Sequence, residues 1–315
     1  MTKTTAPPRA NVLEAVPELT RQATTTIRLH PRRGDVPELS ASKIGGRFLW
    51  PDVEPWPTQT SHHLTHRIVN FEIGGRRWDF PDGTPFALLP ILQINAKDVP
   101  AFSFPSGKDL LQILWVPLHV DESPYHWVIR AFWRNSLSVQ SPLTDMPSSP
   151  FADPIPFPGA VPKPCTLTFE NVVEYPSTFE LSHDIAQRIL AWQETLTDIV
   201  FEDASYQGTS SLYDFELSVC PSTKLGGYVH WLQEPQQATC TCGHTMAHLL
   251  TLSDCEVDSG TWPRWLPLED REGWHGAYSG DDRVDAPDWW LGGGNLYCFV
   301  CQFCSDWPVK VIYQR

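Results

Sequence analysis

Ser42–Trp50 reads SKIGGRFLW and Thr223–Trp231 reads TKLGGYVHW. Lys43, Gly45, Gly46 and Trp50 are answered at a constant offset by Lys224, Gly226, Gly227 and Trp231, with Leu225 standing for Ile44. The segments that follow are also parallel. LLPILQI (88–94), DLLQILWVPL (109–118) and WVIRAFWR (127–134) follow the first copy; MAHLLTL (246–252), NLYCFVC (295–301) and VKVIYQR (309–315) follow the second. These short apolar or alternating runs, rich in Val, Ile, Leu and aromatics and separated by Pro and Gly, have the pattern of strands. The expected fold is α+β, predominantly β: two related β-rich lobes from an internal repeat, with a few packed helices.

Working outward, the repeat divides the chain into an N-terminal extension (1–39), a first lobe (40–141), a connector (142–164), a strand with an amphipathic helix (165–222) and a second lobe (223–315). The connector holds eight prolines between Pro142 and Pro164. Proline fixes φ and lacks a backbone donor, so an extended, irregular spacer is expected there. After Ser182, a good N-cap, Ile185, Ile189, Trp192, Leu196 and Ile199 recur near the helical period. The tandem glycines suit left-handed backbone or close approach at a strand start. A ligand role for the motif points to Lys43, Lys224, Trp50 and Trp231, in a cleft between lobes.

The chain has eight cysteines, five of them in ATCTCGHTM (Cys240, Cys242) and LYCFVCQFC (Cys298, Cys301, Cys304). Two close thiol pairs joined by a long loop are what a tetrahedral zinc site requires. Cys301 and Cys304 form a CxxC knuckle, and Cys240 and Cys242 a CxC whose alternate residues share a face if the segment is extended. Cys298 alternates with Leu296 and Val300, opposite to Cys301, and is expected to be a buried thiol. The expected ligand set is Cys240, Cys242, Cys301 and Cys304, holding one structural zinc; His244 or Cys298 in place of one cysteine remains an alternative, and His248 also follows closely. No HExxH or HxE…PCxxC pattern supplies a general base for catalytic zinc. His62, His63 and His66 form a second metal candidate, read as an exposed loop. Cys165, Cys220 and Cys255 are read as structural thiols. No GxSxG elbow or other local nucleophile signature is present, so a non-enzymatic role is favoured.

The net charge of −14 argues against general nucleic-acid binding. Residues 254–288 carry ten acidic side chains against three arginines. That segment, including Asp281, Asp282, Asp285 and Asp288, is either a solvated loop or a docking surface for a basic protein partner. The first twenty residues have no apolar run suited to a signal peptide, and no stretch is long enough to span a bilayer. A cytoplasmic location is therefore expected, and clustered cysteines in a reducing compartment are better read as metal ligands than as disulfides.

SKIGGRFLWP (42–51), LLPILQINAKDVP (88–100), TKLGGYVHW (223–231), CTCGHTMAHLLTL (240–252) and GGNLYCFVCQFC (293–304) together resemble the YwqG-like family of uncharacterised bacterial proteins. The resemblance spans most of residues 40–315 and implies two related β-rich lobes in one body. The CxC and CxxC pairs look like those of a cysteine-bearing branch. It supplies no catalytic residues. Some relatives are suspected immunity proteins, which implies a zinc-stabilised binding protein with a basic toxin as its most concrete partner. The competing expectations are a ligand receptor or enzyme with a pocket between the lobes, and a structural or assembly protein.

Overall fold

Alternating apolar residues on β1 (Thr24–Arg32) and β10 (Cys165–Glu174) place Ile27, Leu29, Leu167 and Phe169 on the core side of a nine-residue antiparallel pair. This pair lies at the middle of the main sheet. Our structure, a computed structural model, describes residues 3–60, 71–73, 76–78, 83, 85–119, 127–147, 161–199, 212–276, 283–289 and 291–315. Between β1 and β10 run β2 (Lys43–Ile44), β3 (Thr58–Thr60), β4 (Phe71–Ile73), β5 (Arg76–Trp78), β6 (Pro85–Ala87), β7 (Leu89–Asn95), β8 (Leu110–His119) and β9 (Trp127–Arg134). After them come β11 (Lys224–Leu225), β12 (Ala247–Ser253), β13 (Asn295–Val300) and β14 (Val309–Gln314).

Ten of these strands form one antiparallel sheet in the order β14-β13-β12-β11-β1-β10-β2-β7-β8-β9. The chain is predominantly β, as expected, but its strands join in a continuous sheet rather than in two separate ones. The sheet nearly closes on itself. Its outermost strands, β9 and β14, lie side by side, with Trp133 and Trp307 at 5.6 Å between ring centroids and the Trp133 indole donating to the Trp307 carbonyl at 3.3 Å. Inward-facing residues fill one large core, including Ile94, Leu111, Ile113, Trp115, Leu250, Leu252, Leu296 and Cys298.

Strand β1 belongs to the segment read from sequence as an N-terminal extension, and it pairs with β11 of the second half. Conversely β10 pairs with β2 of the first. The outer face of this central region is polar yet buried. Arg28 donates to Thr5, Ser222 and the Trp265 carbonyl, while Glu170 accepts from the His30 imidazole at 3.1 Å and from Thr5. Over it lie the N-terminal residues and the 256–270 segment, tied by Lys3–Asp270, Arg32–Asp270, Thr4–Glu269 and the Leu268 amide to the Thr4 carbonyl. Helix α1 (His183–Gln193) starts where expected, with Ser182 accepting from the Ile185 amide, but stops six residues before Ile199. The Gln193 side chain accepts from the Tyr213 amide there, and the Thr195 hydroxyl turns back to the Trp192 carbonyl. Helix α2 spans Trp262–Trp265.

In each KxGG motif the lysine and the residue after it form a two-residue strand, and the tandem glycines, expected at a strand start, instead end it in the left-handed region. A Cβ on Gly227 would lie 2.3 Å from Glu174 Oε2 and 2.7 Å from Thr26 Cβ; one on Gly45 would lie 2.6 Å from the Pro162 carbonyl oxygen. Their lysines are spent internally. Lys224 is fully buried against the equally buried Glu174, which also accepts from the Cys220 and Tyr228 amides at 2.8 and 2.9 Å. Lys43, also buried, donates to the Glu38 and Leu39 carbonyls at 2.7 and 2.8 Å. Removing one member of a buried ion pair strands its partner, at a cost of about 3–5 kcal/mol, whereas hydrogen bonds from a charged donor contribute about 1.5–3 kcal/mol each. Lys224→Met is therefore expected to destabilise the chain more than Lys43→Met, and Gly227→Ala to destabilise it as well; urea unfolding of the three variants measures the order.

Candidate metal centre

Cys240 and Cys242 sit on a tight turn before β12, not on the extended segment expected from their spacing. The Cys240 amide donates to the His244 carbonyl and the Gly243 amide to the Cys240 carbonyl, both at 2.9 Å. Gly243, at φ +88°, makes the reversal in a region that side chains rarely adopt. Both thiols point the same way because the turn folds them together. Facing them, the β13–β14 connection carries Cys301 and Cys304, closed by the Cys301 amide to the Pro308 carbonyl (3.1 Å) and the Trp307 amide to the Cys304 carbonyl (3.2 Å).

The four sulphurs lie within 4.8 Å of one another. Cys240 Sγ is 3.8 Å from Cys304 Sγ, and Cys242 Sγ is 3.5 Å from Cys301 Sγ. A tetrahedron with Zn–S bonds of about 2.3 Å has edges of about 3.8 Å, so the donor set fits a zinc ion. The Cys242 amide pulls the Cys240 thiol down to about 6, while hydrogen bonding with Cys242 pushes Cys304 up. Crowded thiols resist forming several thiolates together, and a dication bound among them removes that repulsion as protons leave.

His244 adds a further contact, with Nδ1 3.4 Å from Cys242 Sγ. Its ring stacks on Phe303 at 4.1 Å and 12°. His248 has no free nitrogen: Nδ1 donates to the Gly226 and Gly227 carbonyls and Nε2 accepts from Thr251. Cys298 is fully buried in the main core with Leu296 and Val300, while Cys301 joins Tyr297 and Phe299 in a second core on the other face. Burial pushes the Cys298 thiol up to about 12, which makes it inert. Cys165 and Cys220 are buried, and Cys255 donates to the Val257 carbonyl.

Trp50 is buried under the Arg134 guanidinium, 4.0 Å from its ring, and Trp231 packs on Tyr297 and Phe299 in the second core. With Lys43 and Lys224 they serve as internal packing and bonding groups at four places, not as the lining of one cleft. His62, His63, His66, Asp281 and Asp282 lie outside the described residues. Elsewhere the acidic segment is largely tied down. Asp254 accepts from the Leu291 and Gly293 amides, Asp270 pairs with Lys3 and Arg32, and Asp285 accepts from the Glu256 amide. Asp288 is the more exposed of these, at 56%, and pairs with Lys163 at 2.5 Å. The metal site does not anchor this segment. Ser253 pairs with Asn295 at one end of β12–β13, where the acidic segment leaves, and Ala247 pairs with Val300 at the other, beside the cysteines.

The residue that sequence reading missed is Phe303. It lies between ligands in CQFC, and its signal was an aromatic at the tip of a turn where a polar residue is usual. Comparison with known proteins finds no matching family model and no matching curated protein. Among the described residues, no helix is long and apolar enough to cross a membrane.

The purified chain is expected to carry one zinc per molecule by elemental analysis, and its cobalt form to show tetrahedral thiolate absorption. Cys301→Ser should lose both, and Cys298→Ser neither. Acid stability follows from three buried histidines: burial pushes His30 and His230 down to about 4 and His248 to about 3. Each stays neutral in the fold while its unfolded counterpart gains a proton near 6.5, so its contribution is lost as pH falls below that value. Burial pushes Glu256 the other way, up to about 7, which favours the fold as pH falls between 7 and 4.5. Burial raises the carboxyls of Glu174, Glu180 and Asp254 as well, so carboxylates oppose the histidines; urea unfolding of His248→Gln isolates one histidine, and its stability relative to the wild type should rise as pH falls below 6.5.

Proposed function

We propose that this chain is a non-catalytic binding protein whose second half is braced by one tetrathiolate zinc, and that it engages a protein partner through the face around that metal. The carrying observation is Phe303, 72% exposed yet held flat against His244, which itself abuts Cys242. A single exposed hydrophobic is ordinary on a protein surface; what sets this one apart is that its ring is held in place by stacking beside the cysteine cluster. Fixing it beforehand lowers the entropy lost on docking, and rigid aromatics of this kind serve as anchors for pockets on partner proteins. Four thiolates complete zinc's usual coordination and leave no position for substrate, which supports bracing over catalysis.

The resemblance to YwqG-like proteins supports a toxin antagonist as the concrete form of this reading. The acidic segment supports it less than the charge count suggests, because its described carboxylates are mostly committed to internal amides and cations. All eight cysteines are free of disulfides, which supports a reducing, cytoplasmic setting. A duplicated origin of the two halves is part of the proposal; KxGG-strand, β7/β12, β8/β13 and β9/β14 follow in the same order on either side of the β1–β10 pair, which supports it.

The test is affinity capture from the native cell with the wild type and Phe303→Ser side by side. A specific partner whose recovery drops at least tenfold with Phe303→Ser, at unchanged zinc content and unfolding midpoint, is the expected outcome. Equal capture by both, or no protein partner, would count against the proposal.

A further inference from the structure

Exposure divides the eight cysteines sharply. Cys165, Cys220, Cys240, Cys298 and Cys301 are buried, Cys255 and Cys304 are half-buried, and Cys242 is exposed. Cys255 is further held back because its thiol donates to the Val257 carbonyl at 2.7 Å. Cys242 has a second sulphur directly behind it: its Sγ lies 3.5 Å from the Sγ of buried Cys301. The two thiols belong to different turns, Cys242 to the reversal before β12 and Cys301 to the β13–β14 connection. A covalent bond between them therefore crosses the same gap that a metal ion in the cluster would span.

An oxidant arriving from solvent meets Cys242 first and finds Cys301 within reach. An accessible thiolate beside a second thiol is the arrangement of a redox-sensitive cysteine with its resolving partner. With zinc among them all four sulphurs are thiolates, the nucleophilic form. A disulfide bond is about 2 Å long, so the two sulphurs, 3.5 Å apart, have about 1.5 Å to close.

We infer that Cys242 is a modification site for hydroperoxides, that Cys301 is its resolving cysteine, and that forming their disulfide empties the metal centre. This rests on the tetrathiolate reading and adds a means of regulating it. With hydrogen peroxide, the Cys242 thiolate attacks one oxygen; an S–O bond forms, the O–O bond breaks and hydroxide leaves. Sulphur loses two electrons and the peroxide gains them. The Cys301 thiolate then attacks Cys242 Sγ; the S–S bond forms, the S–O bond breaks and a second hydroxide leaves. Only the Cys240 and Cys304 thiolates remain, too few to retain a tetrahedral zinc. Because His244 touches Cys242 and carries the Phe303 ring, the reaction takes place beside the docking face.

The test treats the zinc-loaded full chain with hydrogen peroxide and follows zinc release with a chromophoric chelator. Differential alkylation and mass spectrometry map the cysteines when half the metal has left. A Cys242–Cys301 disulfide is expected as the first product, with Cys165, Cys220 and Cys298 still reduced; dithiothreitol with added zinc should restore the metal. Cys242→His leaves three cysteines and one histidine, also a usual structural zinc set, and should release zinc at least tenfold more slowly. The mapping needs no variant, so it decides even where Cys242→His holds no zinc. A first disulfide within Cys240–Cys242 or Cys301–Cys304, zinc loss with Cys242 still reduced, or release from zinc-loaded Cys242→His at the wild-type rate would overturn this inference alone. A wild-type chain that binds no zinc would overturn the tetrathiolate reading with it.

Discussion

A carboxylate buried at the end of β10 is the constraint around which the centre of the molecule is arranged. Glu174 is inaccessible to water, so folding must supply what solvent would have given: the Lys224 ammonium and the Cys220 and Tyr228 amides. Each donor comes from the stretch around the second KxGG motif. Satisfying one charge therefore positions β11 beside β1 and brings the chain before and after it against β10. Gly227 follows from the same requirement, since a side chain there would occupy the space of the carboxylate. The neighbouring Arg28, Glu170 and His30 continue this buried polar layer, and residues 3–9 with the 256–270 segment close it from water. A buried ion pair is a poor source of net stability but a strict selector of geometry, because misregistered strands leave charges unpaired.

The four-cysteine cluster, which could hold a metal ion, belongs to a different part of the structure. The cysteine turns lie outside the main sheet core and seal a second core of Val229, Trp231, Met246, Tyr297 and Phe299. The antiparallel register of β12 and β13 puts this metal centre and the acidic segment at opposite ends of one strand pair, about 20 Å apart by strand rise. A metal bound there would stiffen the face that carries Phe303 and leave the acidic end to its own hydrogen bonds.

What was legible in the sequence was chemistry with a short range. The four cysteines were readable because thiol spacing limits how a turn can present them, and Cys298 was excluded by the alternation that places it in the main core. The apolar runs became strands almost residue for residue. The role of β1 was hidden because TTTIRLHPR carries threonine, arginine, histidine and proline and lies in the stretch read as an N-terminal extension. Its polar face is buried only because Glu170, Thr5, Ser222 and the Trp265 carbonyl arrive from distant parts of the chain. The charge of 254–288 misled for the same reason: a count of carboxylates does not reveal which of them accept buried amides.

The two copies of KxGG also show how one motif takes different partners. In register, Lys224 lies on β11 beside β1 and reaches Glu174, whereas Lys43 lies on β2 beside Thr166, whose other neighbour is the cationic Arg32. With a cation there and no carboxylate within reach, Lys43 turns to the carbonyls of Glu38 and Leu39. The motif's common property is therefore its backbone geometry, and its lysines do not define a shared ligand site. Functional specialisation has to be sought where the halves differ. Among the described residues the cysteine turns with the Phe303 stack belong to the second half, at one end of β12–β13, and the Asp254 and Asp258 carboxylates hold the loops at the other. A single strand pair thus presents two separately constrained surfaces, one that a metal would make rigid and the other held by carboxylate–amide bonds.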